Sequence, residues 1–279
     1  MTTTNAGSGD ARGRGTERRG RVGGVDARVA ELLGELRSLG SEPNRRGMAR
    51  YGINVERAFG ASIAVLRPMA RRLGTDHELA LALWSSGFHE ARLLACFVDD
   101  PAAVSARQME SWARDFDSWD LCDQACTSLF DQTRHAWSKA TTWATRAHEW
   151  TKRGGFALMA GLASHDQQAD DRAFLRLLPL IERGALDERN FVKKAVNWAL
   201  RNIGKRNAAL NIAAVACARR ILASANRRAG GERGGPADVR AARFVASDAL
   251  RELTSPATRA RLERRSLRVR KRSANKRAP

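Results

Sequence analysis

Between Val25 and about Leu267 apolar side chains recur at steps of three and four, Ala and Leu dominate, and runs of β-branched residues are scarce. That is the pattern of amphipathic helices rather than of strands. Helix starts are marked at Thr75, at Asp100 ahead of Pro101, at Asp117, at Asn190 and at Ser255 ahead of Pro256. A short oxygen-bearing side chain satisfies first-turn N–H groups there, and Pro has none to lose. Gly74, Gly184 and Gly204 read as C-terminal caps. The spacing predicts helices over 26–38, 61–73, 76–86, 88–99, 101–115, 118–130, 134–147, 149–163, 171–183, 189–203, 208–227, 237–252 and 256–267. Short helices paired every ~40 residues have the form of a HEAT-type array, in which stacking supplies the core that no single pair can bury. A compact helical bundle has the same periodicity and stays open at this level.

The ends of the chain read differently. Residues 1–24 hold Gly, Thr and Arg with almost nothing to bury, and are expected to form a disordered basic arm. Residues 25–254 form the helical domain, interrupted by a Gly/Arg loop over 227–235, and residues 255–279 a basic tail, helical at first and then disordered. The net charge of +19 is concentrated at these ends: 255–279 alone carries eight Arg and two Lys against Glu263. A moderately basic interior remains, and a basic body with basic tails suits a polyanionic partner such as nucleic acid.

Other classes fall away. No uninterrupted apolar run approaches the roughly 20 residues of a bilayer span, so a soluble, cytoplasmic protein without membrane contact is expected. The four cysteines form no CxxC pair, and His89-Glu90-Ala91-Arg92 has no second His one turn on. No metal is expected, and Glu90 is expected to pair with a basic neighbour. The chain has no Walker A loop, no GxGxxG after a strand, no GxSxG elbow and no HExxH, which excludes the ATPase, dehydrogenase, hydrolase-fold and zincin readings.

Three segments carry candidate chemistry. In 190–207, Val192, Ala195, Val196, Ala199 and Ile203 form an apolar stripe, while Lys194, Trp198, Arg201 and Lys205 follow one another at steps of four, three and four on another face. Either Trp198 caps the edge of the core beside a solvated basic face, or the row receives a phosphate-bearing ligand whose sugar or base rests on the indole. In 116–130, Asp117 and Asp120 suit a helix start, whereas Asp123 lies one turn beyond Trp119 on a line continued by Cys126 and Phe130. A carboxylate so desolvated is a candidate catalytic group, and equally a buried Asp satisfied by a neighbouring helix. In 146–163, Arg146, Trp150 and Arg153 again mix indole with guanidinium, and Gly154-Gly155 admits close approach of a ligand or of a second helix.

In order and spacing, LALALWSSGFHEARLLA (79–95), SWDLCD (118–123), EWTKRGGFALMA (149–160) and FVKKAVNWALRNIGKRN (191–207) resemble the AlkD-like family of bacterial DNA alkylation-repair glycosylases, over about Met48 to Ala225. The resemblance implies an all-α, HEAT-like helical-repeat solenoid with a concave basic face that reads the exposed sugar-phosphate backbone. It gives Asp123 the place of the catalytic carboxylate, Trp119 and Trp198 those of lesion-facing aromatics, and Arg153 that of a backbone-contacting Arg, beside Lys194, Arg201 and Lys205 of the basic row. The implied activity is that of a monofunctional DNA N-glycosylase. It removes cationic purines of the N3-methyladenine and N7-methylguanine type from double-stranded DNA, leaves an abasic site, and acts as a monomer with no cofactor and no metal. The alternative is a HEAT-like nucleic-acid-binding module without catalysis.

Overall fold

The computed structural model describes residues 11–230 and 235–275, with side chains for 24–230 and 235–267. Every regular element in them is helical. A first unit, ending at Ala103, holds α1 (Ala11–Ser38), α2 (Glu42–Arg50), α3 (Ile63–Leu73), α4 (His77–Ser85) and α5 (His89–Val98). A second, from Val104 onward, holds α6 (Ala106–Arg114), α7 (Trp119–Ser128), a 3₁₀ turn (Phe130–Gln132), α8 (Ala136–Trp143), α9 (Glu149–His165), α10 (Asp171–Leu175), α11 (Leu178–Gly184), α12 (Asn190–Gly204), α13 (Ala208–Ala229), α14 (Pro236–Leu253) and α15 (Pro256–Asn275). Two units thus stand where one helical domain over 25–254 was expected. The arm expected to be disordered through residue 24 is helical from Ala11, and residues 1–10 lie outside the described residues. The C-terminal tail is helical to Asn275.

Local chemistry accounts for the differences from the predicted boundaries. The helix α2 was not predicted because EPNRRGMAR has no apolar stripe and buries no residue. It is set by Ser41, whose side chain accepts from Asn44 N–H, and by Pro43 in its first turn. Asp76 rather than Thr75 caps α4, accepting from Leu79 N–H at 3.0 Å. Asp100 closes a turn by accepting from Ala102 N–H at 2.9 Å, and α6 starts only after Ser105, which accepts from Gln108 N–H at 3.1 Å. The helix predicted over 171–183 breaks in two because Pro179 lies in the first turn of α11. Gly74 ends α3 at φ +72°, as predicted. Gly184 and Gly204 are packing glycines instead: a Cβ would lie 2.4 Å from the Phe156 ring and 2.7 Å from Leu253, respectively.

In the first unit α4 packs on α5, α3 on α5 and α1 on α4, around Leu36, Leu66, Leu79, Leu83 and Leu94, all buried. Glu90 is buried and accepts from the backbone N–H groups of Phe59 at 2.9 Å and Gly60 at 2.7 Å. It therefore secures the loop before α3 rather than a basic side chain. The Phe59 and Phe88 rings stack beside it at 4.8 Å.

The second unit is built on a layer of four parallel helices, α7, α9, α12 and α14, each packed on the next. Their direction follows from contacts that advance together along each pair: Arg153 reaches Asp123 and the Phe191 carbonyl and Asn197 reaches Asp248, while farther on Cys126 meets the Gly154 carbonyl, Asn202 the Ala160 carbonyl and Arg201 Glu252. The first three pairs are separated by 30, 38 and 51 residues, the recurrence expected of stacked helical repeats. The helix α8 backs α9, and α13 backs α12 and α14. Gly155 makes the α8–α9 approach possible, because a Cβ there would lie 2.3 Å from Ala144 N, so this glycine admits a second helix. The helix α13 has the length and hydropathy of a membrane span, but Leu210, Ala214, Cys217, Ala218, Ile221 and Ala225 bury its apolar face within the stack.

Candidate active site

The carboxylate of Asp123 is positioned by three consecutive helices of the parallel layer. Ser118, rather than Asp117, is the residue before α7, and Trp119 opens the helix with Asp120 beside it. Asp123 follows Trp119 by one turn, so both side chains leave the same face, and both are half-buried. Arg153, on the neighbouring face of α9, grips the carboxylate with two bonds, Nε to Oδ1 at 2.9 Å and Nη2 to Oδ2 at 2.7 Å. Its remaining nitrogen, Nη1, donates to the Phe191 carbonyl at the start of α12 at 2.6 Å. The Phe191 ring packs on Trp150 at 4.9 Å, which fixes that end of α12 against α9.

Exposure divides the pair. The Arg153 side chain is 7% exposed and that of Asp123 15%, so both are largely buried and the carboxylate is the less buried of the two. Burial pushes the Asp123 carboxyl above its ordinary value, and the charge and hydrogen bonds of Arg153 pull it back. Burial also opposes the charge of Arg153, but the Asp123 carboxylate more than offsets this, so the guanidinium is held charged. Arg153, expected on the DNA backbone, thus has each of its nitrogens engaged inside the protein.

The basic row on α12 is also reorganised. The stripe Val192, Ala195, Val196, Ala199 and Ile203 is fully buried, as predicted. Trp198 is half-buried and Lys194 exposed, and no acid pairs with Lys194 among the described residues. Arg201 and Lys205, by contrast, converge on Glu252 of α14, Lys205 at 2.7 Å, with Asp248 3.8 Å from Arg201. Burial resists ionisation of Glu252, but hydrogen bonds from Lys205 and Arg201 outweigh it and hold the carboxyl below its ordinary range. Of the four cations expected on the DNA backbone, Arg153, Arg201 and Lys205 therefore meet carboxylates within the fold. Glu252 was not singled out, because it lies 47 residues from Lys205 and 51 from Arg201, and no local spacing marks it.

A second cluster flanks the site. Lys152 donates to Asp187 at 2.7 Å and Arg189 grips the same carboxylate. Burial raises the cost of that charge, yet the two cations bring the Asp187 carboxyl down to about 2. Among the described residues no group of three His, Cys, Asp or Glu side chains is placed to hold a metal. All four cysteines are buried, and Cys122 and Cys126 face carbonyls of α9 at 3.5 Å.

Comparison with known proteins agrees with this arrangement at the level of fold and family. No curated protein matches the chain. A solved structure is described as one of a new family of proteins related to the HEAT-like repeat DNA glycosylases, with affinity for branched DNA structures. It is 21% identical, covers 68% of this chain and 81% of its own, and superposes with a TM-score of 0.62. That likeness gives the fold, a HEAT-like helical repeat. The model of the DNA alkylation repair enzymes matches residues 32–233, a span that contains all of α2 to α13 and with them Trp119, Asp123, Arg153 and Trp198. By that match, over well more than half of its length, the chain belongs to the DNA alkylation repair enzyme family.

Proposed function

We propose that the chain is a monomeric, monofunctional DNA glycosylase that hydrolyses the N-glycosidic bond of cationic alkylated purines in duplex DNA. The observation that carries this reading is the Asp123 carboxylate, one turn from Trp119, largely desolvated and fixed in place by the two-point grip of Arg153. A purine alkylated at N3 or N7 is positively charged, so the base leaves as a neutral molecule without protonation by the protein. The bond from C1′ to the base nitrogen breaks, both electrons go to the base, and an oxocarbenium-like sugar remains. Water adds to C1′ and releases one proton. Asp123 stabilises the sugar cation and orients the water, while the Trp119 and Trp198 faces add cation–π attraction of ~0.5–2 kcal/mol each. Arg153 acts as a positioning residue, Lys194 meets phosphate, and Arg201 and Lys205 brace α12 on α14. No lysine nucleophile is needed, and Lys152, the nearest in sequence to Arg153, is paired with Asp187.

One observation favours a second reading, binding of DNA without cleavage. The two-point grip of Arg153 offsets part of the Asp123 charge that would act on the sugar, and the similar solved protein is described by its affinity for branched DNA. Release of free methylated base from alkylated duplex separates the two. The glycosylase reading expects release above the protein-free rate, and the binding reading expects a tight complex with none.

A further inference from the structure

Several cations of the repeat body meet acids: Arg153 with Asp123, Lys152 and Arg189 with Asp187, Lys139 with Glu110, Arg201 and Lys205 with Glu252, Arg220 with Glu182. The helix α15 is different. From Pro256 to Asn275 it carries seven Arg and one Lys against Glu263 alone. It is seated by one face only, through Thr258 and Leu262, both buried and one turn apart. The Thr258 hydroxyl donates to the Glu252 carbonyl at 2.8 Å, and its N–H donates to Ser255 at 3.2 Å. Arg265 donates to Gln167, just past the end of α9. Arg261, flanking that seat, and Arg264, farther round the helix, are exposed, and neither meets an acid among the described residues.

This charge distribution is costly by itself. Like charges three and four residues apart oppose helix formation, and Arg261, Arg264 and Arg265 stand at those spacings. A polyanion relieves the repulsion all along the helix, and arginine forks match phosphate oxygens two at a time. A lipid surface fits less well, because membrane helices turn an apolar face outward. Here the apolar face is the seated one, and Leu267, at 56% exposure, is the large apolar side chain left in solvent on the described part of α15. The seat is also remote from the carboxylate: Arg153 and His165 are twelve residues apart on α9, about 18 Å along its axis.

We propose that α15 is a second DNA-binding element, which holds the phosphate backbone of duplex outside the nucleotide that meets Asp123. The inference rests on the reading that the chain binds DNA. It is tested with the full chain on an unmodified linear duplex several helical turns long, by fluorescence anisotropy across a salt series. For the pair Arg261→Gln/Arg264→Gln the log–log salt slope is expected to fall by about 1.8, or 0.9 for each phosphate that is no longer neutralised. The melting temperature should not move, and the pair Arg261→Lys/Arg264→Lys should restore the parent slope. Parent-like slope and affinity in the glutamine pair overturn the proposal while leaving the DNA reading intact. Loss of binding to phosphatidylglycerol vesicles with DNA binding unchanged also overturns it, in favour of a lipid surface. A parent that fails to bind duplex at low salt overturns both.

Discussion

Replacing Arg153 with Gln tests whether the Asp123 carboxylate depends on its partner. The substitution deletes both bonds to Asp123 and the bond to the Phe191 carbonyl, and leaves a largely buried carboxylate without its counter-charge. Breaking a buried pair by removing one member costs about 3–5 kcal/mol, because the remaining charge is uncompensated. The 15% exposure of Asp123 lets water screen part of this, so a value near the lower end, about 3 kcal/mol, is expected at neutral pH. For a protein of this size that corresponds to a fall in Tm of about 6–12 °C. The penalty should also depend on pH in a defined direction. Burial already pushes the Asp123 carboxyl up and Arg153 pulls it down, so without Arg153 its folded-state value rises further above the unfolded one. A carboxyl raised in this way destabilises the fold while it is ionised and ceases to do so once protonated, so the variant should regain stability relative to the parent as pH falls toward about 5. Adding Asp123→Asn to Arg153→Gln removes the orphaned charge and should restore most of the loss. Denaturant melts of parent, single and double variants from about pH 5 to 8 read all of this. The reasoning is refuted if Arg153→Gln melts within about 0.5 kcal/mol of the parent at every pH, or if the double variant is no more stable than the single.

Three further outcomes follow from the same structure. Glu252→Gln releases Arg201 and Lys205 from α14; at its partial exposure it should cost at most about 1 kcal/mol, while raising duplex affinity and steepening the salt slope, which anisotropy titration measures. Asp187 ionises at about 2 in the fold against an ordinary 3.8, so its contribution of about 2 kcal/mol is complete above about pH 4 and lost as pH falls through about 2; Asp187→Asn should flatten that part of the stability–pH curve. Gly155→Ala places a methyl group against the Ala144 backbone and should destabilise by about 1–3 kcal/mol, whereas Gly34→Ala, where nothing lies within 4 Å, should not destabilise in a parallel melt.

The buried stripe of α12 and the pairing of Trp119 with Asp123 on one face were legible in the sequence because each is set by helical periodicity within one turn or a few. The recurrence of helices was legible for the same reason, and four blocks of motif carried the family. Partnerships across helices were not. Nothing near Arg153 marks Asp123 as its partner 30 residues away, and Glu252 becomes visible only once α12 and α14 are set side by side. A basic row therefore looked free when two of its members are held by an acid. Gly184 and Gly204 misled for a related reason: at a helix end, a glycine needed for tight packing and one needed for a left-handed cap look the same in sequence. The helix α2 lay below detection because it buries nothing, and periodicity records only what is buried.

The most direct test of the glycosylase reading is single-turnover release of free N3-methyladenine and N7-methylguanine from methylated duplex, measured for the parent and for Asp123→Asn beside a protein-free control. Removing one well-placed electrostatic group costs roughly 2.7–4 kcal/mol of barrier. The parent should release base above the spontaneous rate, and Asp123→Asn should fall ~100- to 1000-fold in its protein-dependent rate with duplex affinity preserved. Release by Asp123→Asn at the parent rate, or no release by the parent above the control, would contradict that reading.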